Sequence, residues 1–113
     1  MLLPTDFWVG ALIRRAQAGG AHAAVVRKGD ARAGAVLVKV VNRRERWARL
    51  FAQALGREGE TAWMEPVAAQ DEPTLDAYAD RAWSRDPDLW VVEIDDARGR
   101  HFLTEPVEGG SRV

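Results

Sequence analysis

The sequence of 113 residues contains no cysteine. That absence excludes disulfides, thiolate chemistry and cysteine-ligated metals, and it suits a reducing compartment. Long apolar runs are also missing. The longest, Ala33 to Val38, is far short of the ~20 residues of a membrane-spanning helix. Met1 to Asp6 carry no basic segment followed by an apolar core, so no secretory signal is read there. A cytoplasmic protein with no membrane partner is expected. Histidine is scarce, with only His22 and His101, far apart in the chain. Signatures such as H-E-x-x-H and G-x-x-x-x-G-K-[ST] are not matched, and no cofactor is expected. An acid-x-lysine nuclease pattern fails at Lys39, because Leu37 stands where the acid is needed.

What is present describes a globular chain. Hydrophobic residues make up 47% and charged residues 29%, which separates it from disordered sequences. A chain of this length buries roughly two thirds of its unfolded surface in a single domain. Net charge is −1, but it is unevenly spread. Residues 1–57 hold eleven Lys or Arg against three acids, and residues 58–113 hold five Arg against fourteen acids. Such asymmetry marks a nucleic-acid surface, head-to-tail association, or two halves that neutralise one another inside one domain. The last is expected, because a compact domain interleaves its halves.

Thr5 reads as an N-cap, with Trp8, Leu12 and Ala16 at helical spacing and Gly19-Gly20 as a stop, predicting a helix over about residues 5–18. Ala23–Arg27 and Gly34–Val41 read as strands joined by a glycine-bounded connection of hairpin length. Residues 45–55 fit either an amphipathic helix or an alternating strand. The strand is favoured, with Asn42–Glu45 as a compact hairpin turn. Thr61–Glu65 is a short strand. Asp71-Glu72-Pro73 starts a second helix that ends at Asp86, before Pro87. Trp90, Val92 and Ile94 then alternate with Leu89, Val91, Glu93 and Asp95 along a strand. A turn at Ala97-Arg98-Gly99 is expected to return as a second strand, placing Ile94 opposite Phe102 and Asp95 opposite His101.

The expected fold is therefore an α+β domain over residues 1–104, in the order α-β-β-β-β-α-β-β. Two helices pack on one face of a mainly antiparallel sheet of about five or six strands. Residues 105–113 are expected to form a mobile tail.

Three constellations carry chemistry. Glu93, Asp95 and His101 are expected on one face of the final hairpin, where they would serve as an acid/base group or a metal-binding set. An exposed cross-strand ion pair, worth ~0.2–1 kcal/mol, is the plainer account. Arg43, Arg44, Arg46 and Arg49, interleaved with Trp47, suit single-stranded nucleic acid, with arginines on phosphates and an aromatic under a base. Finally, five tryptophans are many for this length. Trp8, Trp63 and Trp83 are candidate anchors for a second copy or another protein. Self-association is ranked first, nucleic acid second and enzyme activity third.

Three blocks, Phe7–Arg15, Gly29-Asp30 with Gly34–Val40, and Asp86–Leu103, resemble a small bacterial family, seen mainly in alphaproteobacteria and held as a domain of unknown function. The resemblance spans nearly the whole chain and favours the strand at Trp47. It implies a single domain, and it brings no catalytic residue with it.

Overall fold

The computed structural model describes residues 3–108. Helix α1 (Thr5–Ala18) is followed by β1 (His22–Arg27), β2 (Val36–Asn42), β3 (Trp47–Leu55) and β4 (Thr61–Met64). Helix α2 (Glu72–Arg85) and β5 (Trp90–Asp95) complete the order. The strands form one sheet, β1-β5-β2-β3-β4. Three neighbouring pairs are antiparallel, and β5 runs parallel to β2.

The α+β class, both helices and the strand at residues 47–55 are as the sequence predicts. The turn Arg43–Arg46 joins β2 to β3, and the Asn42 side chain accepts from the Glu45 amide at 3.0 Å. The α2 start is likewise as read, with the Asp71 carboxylate accepting from the Thr74 amide at 3.0 Å.

Four expectations need correction. The helices lie on opposite faces of the sheet. Val36, Val38, Val40, Trp90, Val92 and Ile94 pack under α1, while Leu37, Val41, Leu50, Leu89 and Val91 pack under α2. The reason is visible in β2 and β5, whose successive side chains are apolar on both sides and need two covers.

Second, residues 101–104 form no return strand. Both edges of β5 are already taken, by β1 and β2, so no edge is left for Phe102 or His101. The turn itself forms. Gly99 adopts a left-handed conformation (φ 68°), and a Cβ there would lie 2.4 Å from the Trp47 ring.

Third, β1 and β2 are not neighbours. The loop between them passes over the start of β5, and its Arg32 and Ala31 carbonyls accept from the Thr5 and Asp6 amides. These bonds satisfy the first turn of α1. Thr5 is accordingly inside the helix and donates its hydroxyl to the Gly34 carbonyl at 2.9 Å.

Fourth, Glu105–Glu108 pack against β4 instead of joining a loose tail. The Trp63 amide donates to the Pro106 carbonyl at 2.8 Å, and the Glu108 amide donates to the Trp63 carbonyl at 2.7 Å. The rest of the expected tail, residues 109–113, lies outside the described residues.

Candidate functional site

The ion pairs of the domain join its basic half to its acidic half. Among the described residues, each ion pair except Arg100–Asp96 joins a cation from Arg27 to Arg49 with an acid from Glu65 to Asp95. The densest group is centred on Lys39, which faces α2 from the middle of β2 and is only 9% exposed in its side chain. Its ammonium donates to Glu72 at 3.0 Å and Asp76 at 2.7 Å, both on α2, and pairs with Glu93 of β5 at 3.0 Å. The parallel register that sets Lys39 beside Glu93 builds half of this group.

Burial alone pushes the Lys39 ammonium down. Hydrogen bonds to Asp76, Glu72 and Glu93 outweigh burial and hold it above the ordinary lysine value. A lysine so held stays protonated at neutral pH and supplies neither a base nor a nucleophile. Arg43 extends the group, pairing with Glu72 at 3.1 Å, Glu93 at 3.4 Å and Asp95 at 3.0 Å.

The acid/base set is not brought together. Glu93 and Asp95 lie on the α2 side of the sheet, bound to Lys39 and Arg43. His101 lies on the α1 side, with its ring edge-on to Phe51 at 5.2 Å between centroids. Burial, and then the charge of Arg49, push the His101 pKa below its ordinary value. Its Nδ1 accepts from the Leu103 amide at 2.9 Å. Among the described residues no three His, Asp or Glu side chains are placed to hold a metal ion.

The basic segment is divided as well. Arg43 is committed to three carboxylates, and Arg49 pairs with Glu65 through Nε at 3.0 Å and a terminal nitrogen at 3.1 Å. Trp47 is half-buried, while Arg44 and Arg46 at the hairpin turn are exposed. A cavity of about 330 Å³ beside that turn is lined by Arg43, Arg46, Trp47 and Asp71 among others.

Of the three tryptophan candidates, Trp8 and Trp63 are interior, at 6% and 0% exposed. Trp83 is 37% exposed. The Arg27 guanidinium lies 4.3 Å above its ring and also bonds Asp80 at 2.9 Å.

Trp83 thus lies at a feature that the sequence alone did not single out, the outer edge of β1. Among the described residues this strand pairs only with β5. Val25 and Val26 are exposed along it, and Val26, at 57%, occupies an irregularity between Val25 and Arg27. A shallow hollow of about 320 Å³ opens at its other end, lined by Gln17, His22, Ala24, Glu93 and Asp95.

The arrangement defines a small three-layer α/β/α domain with a dense group of internal ion pairs on its α2 face and, among the described residues, one sheet edge left open. The chain belongs to the DUF1491 family, described as proteins of unknown function, whose model matches residues 3–104. A crystal structure of a DUF1491 family protein from Caulobacter crescentus is similar at 68% identity and a TM-score of 0.93, covering 95% of this chain and all of that one. A nuclear magnetic resonance structure titled for the same family and organism gives 68% identity and a TM-score of 0.89 over 96% and 99% of the two chains. Protein Atu0922 from A. tumefaciens is 32% identical with a TM-score of 0.78, over 93% of this chain and 95% of that one. No curated protein matches the chain. No helix among the described residues is long and apolar enough to cross a membrane.

Proposed function

We propose that the protein is a non-enzymatic interaction module of the bacterial cytoplasm that self-associates. Two copies pair their β1 strands antiparallel about a two-fold axis, making one continuous sheet of both subunits. The observation that carries this reading is the difference between the sheet's ends. The β4 edge is covered by Glu105–Glu108, whereas β1 presents its main chain and two exposed valines to solvent.

An uncovered strand edge is a template for further pairing. Arg27 and Lys28 close one end of β1, and a hollow bordered by Glu93 and Asp95, both already paired with Arg43, opens at the other. Two-fold pairing carries Trp83 and Val26 towards the join.

A strand of six residues buries less than the ~1,200 Å² of a standard stable interface, so association is reversible, with a dissociation constant on the order of micromolar. Light scattering from micromolar to millimolar protein tests this. The mass is expected to rise from the 12.5 kDa of one chain towards twice that value. Val26→Lys, which places a charge on the edge, is expected to keep the chain monomeric. A wild-type chain that stays monomeric throughout sinks the proposal.

A second reading is favoured by the exposed pair Arg44 and Arg46 beside Trp47 and its cavity. That turn suits a single-stranded nucleic acid, with binding that weakens steeply as salt rises and is lost on reversing both charges. A flat titration with a mixed-sequence oligonucleotide at low salt ends it.

A further inference from the structure

The closed edge of the sheet is built like a binding site that the chain fills itself. Trp8 on α1 and Trp63 on β4 stack at 5.3 Å between centroids with 24° between planes. Each indole N–H donates to one oxygen of the Glu105 carboxylate, both at 3.0 Å. Burial pushes the Glu105 carboxyl up, but the hydrogen bonds from Trp8 and Trp63 outweigh burial, and the group is held below the ordinary glutamate value. The charge of Arg15 acts in the same direction. One terminal nitrogen of Arg15 is itself buried with no hydrogen-bond partner among the described residues. Beyond the carboxylate, Val107 pairs parallel to Trp63 and packs on the core.

We infer that the Trp8–Trp63 pair is an acceptor site for an extended acidic peptide of Glu-Pro-Val type from another protein, occupied in this chain by its own Glu105–Glu108. Three observations carry the inference. Two indole donors in the interior need an acceptor, and a carboxylate answers both at once with one oxygen for each and a charge that strengthens both bonds. The flanking bonds run from main chain to main chain through Trp63, so any extended segment can make them, as in strand addition. A hollow of about 580 Å³ continues past the clamp, lined by Leu3, Gly59, Glu60 and Thr61 together with Trp8, Glu105 and Pro106. It has room for more of a peptide than the internal segment supplies. Glu60 on its wall selects against a second acid in the part of the ligand that enters there.

The test uses the full chain and the free peptide Thr-Glu-Pro-Val-Glu, the chain's own segment. Glu105→Gln keeps the side-chain shape while removing the charge, which weakens the internal occupant. The tethered wild-type segment competes at an effective concentration on the order of millimolar. The peptide is therefore expected to bind Glu105→Gln at least about tenfold more tightly than wild type. Binding is read from the indole N–H resonances of Trp8 and Trp63. A peptide with glutamine in place of its first glutamate is expected to bind about tenfold more weakly.

If neither resonance moves with millimolar peptide in folded Glu105→Gln, the inference is wrong. Should that variant fail to fold, the wild type decides. Shifts of both indoles at peptide concentrations above millimolar support the site, and unmoved indoles overturn it. Dimers that survive Val26→Lys but require Glu105 would mean exchange of the segment between copies, which also overturns it.

Discussion

The two edges of the sheet are opposites. At one end β4, of four residues, is covered by the chain's own Glu105–Glu108 through two main-chain bonds and a clamped carboxylate. At the other end β1, of six residues, has no cover among the described residues, and exposes Val25 and Val26. Proteins blunt open edges with charge, proline, bulges or a covering segment. Here the cover is spent on β4, and β1 keeps only the irregularity at Val26. An open edge in this fold is therefore not a general looseness. One edge is closed with a dedicated segment while the other is left available.

The largest effect on stability is expected at the closed edge. Trp63→Ala removes a fully buried ring that stacks on Trp8 and anchors the covering segment. It is expected to cost about 3–5 kcal/mol in denaturant unfolding, with the β1 edge still able to pair in whatever fraction stays folded. Lys39→Met probes the ground between the edges. It leaves Glu72, Asp76 and Glu93 converging without their shared cation, for an expected loss of about 3 kcal/mol near neutral pH. The loss should shrink in acid, where protonation relieves the carboxylates. The Lys39 pKa is raised, so its own contribution is complete below the unfolded lysine value and is lost only as pH rises through the folded one.

Glu105→Ala leaves two indole donors unpaired and is expected to cost about 1–3 kcal/mol. Its pH dependence has a definite sign. The folded Glu105 pKa is depressed, so the contribution is complete above the unfolded glutamate value of about 4.3 and is lost as pH falls through the folded value. The stability gap between wild type and Glu105→Ala should therefore close in acid. A gap that widens there would rule out the clamp as described. The smallest effect on stability is expected at the open edge. Val26→Lys should change unfolding free energy by no more than about 0.5 kcal/mol while removing association, which separates the two edges by mechanism.

Much of this architecture is legible in the sequence because local signals agree with the fold. Asp71-Glu72-Pro73 starts α2, Pro87 limits it, and the alternation around Trp90 assigns that strand's faces. The error at the final hairpin has a physical cause. Gly99 announces a turn, but a turn does not reveal that β1 and β2 already occupy both edges of β5. The placement of the helices has a signal in the sequence. Leu89 and Val91 oppose Trp90 and Val92, and a strand apolar on both faces calls for a cover on each.

The interaction sites were harder to read. Trp8 and Glu105 lie 97 positions apart, and no spacing rule joins them to Trp63. The grouping of His101 with Glu93 and Asp95 failed because it inherited the hairpin register that does not form. Residue type alone marks Trp83 in the sequence, and only the strand order places it beside an open edge.

Amide hydrogen exchange, resolved by residue and measured over a range of protein concentrations, distinguishes the open edge from the closed one. The outward amides of β1 are expected to exchange quickly in dilute solution and to become protected as concentration rises, while the Trp63 amide is protected throughout. Outward β1 amides that stay unprotected at every concentration, or a Trp63 amide that exchanges as fast as they do, would contradict it.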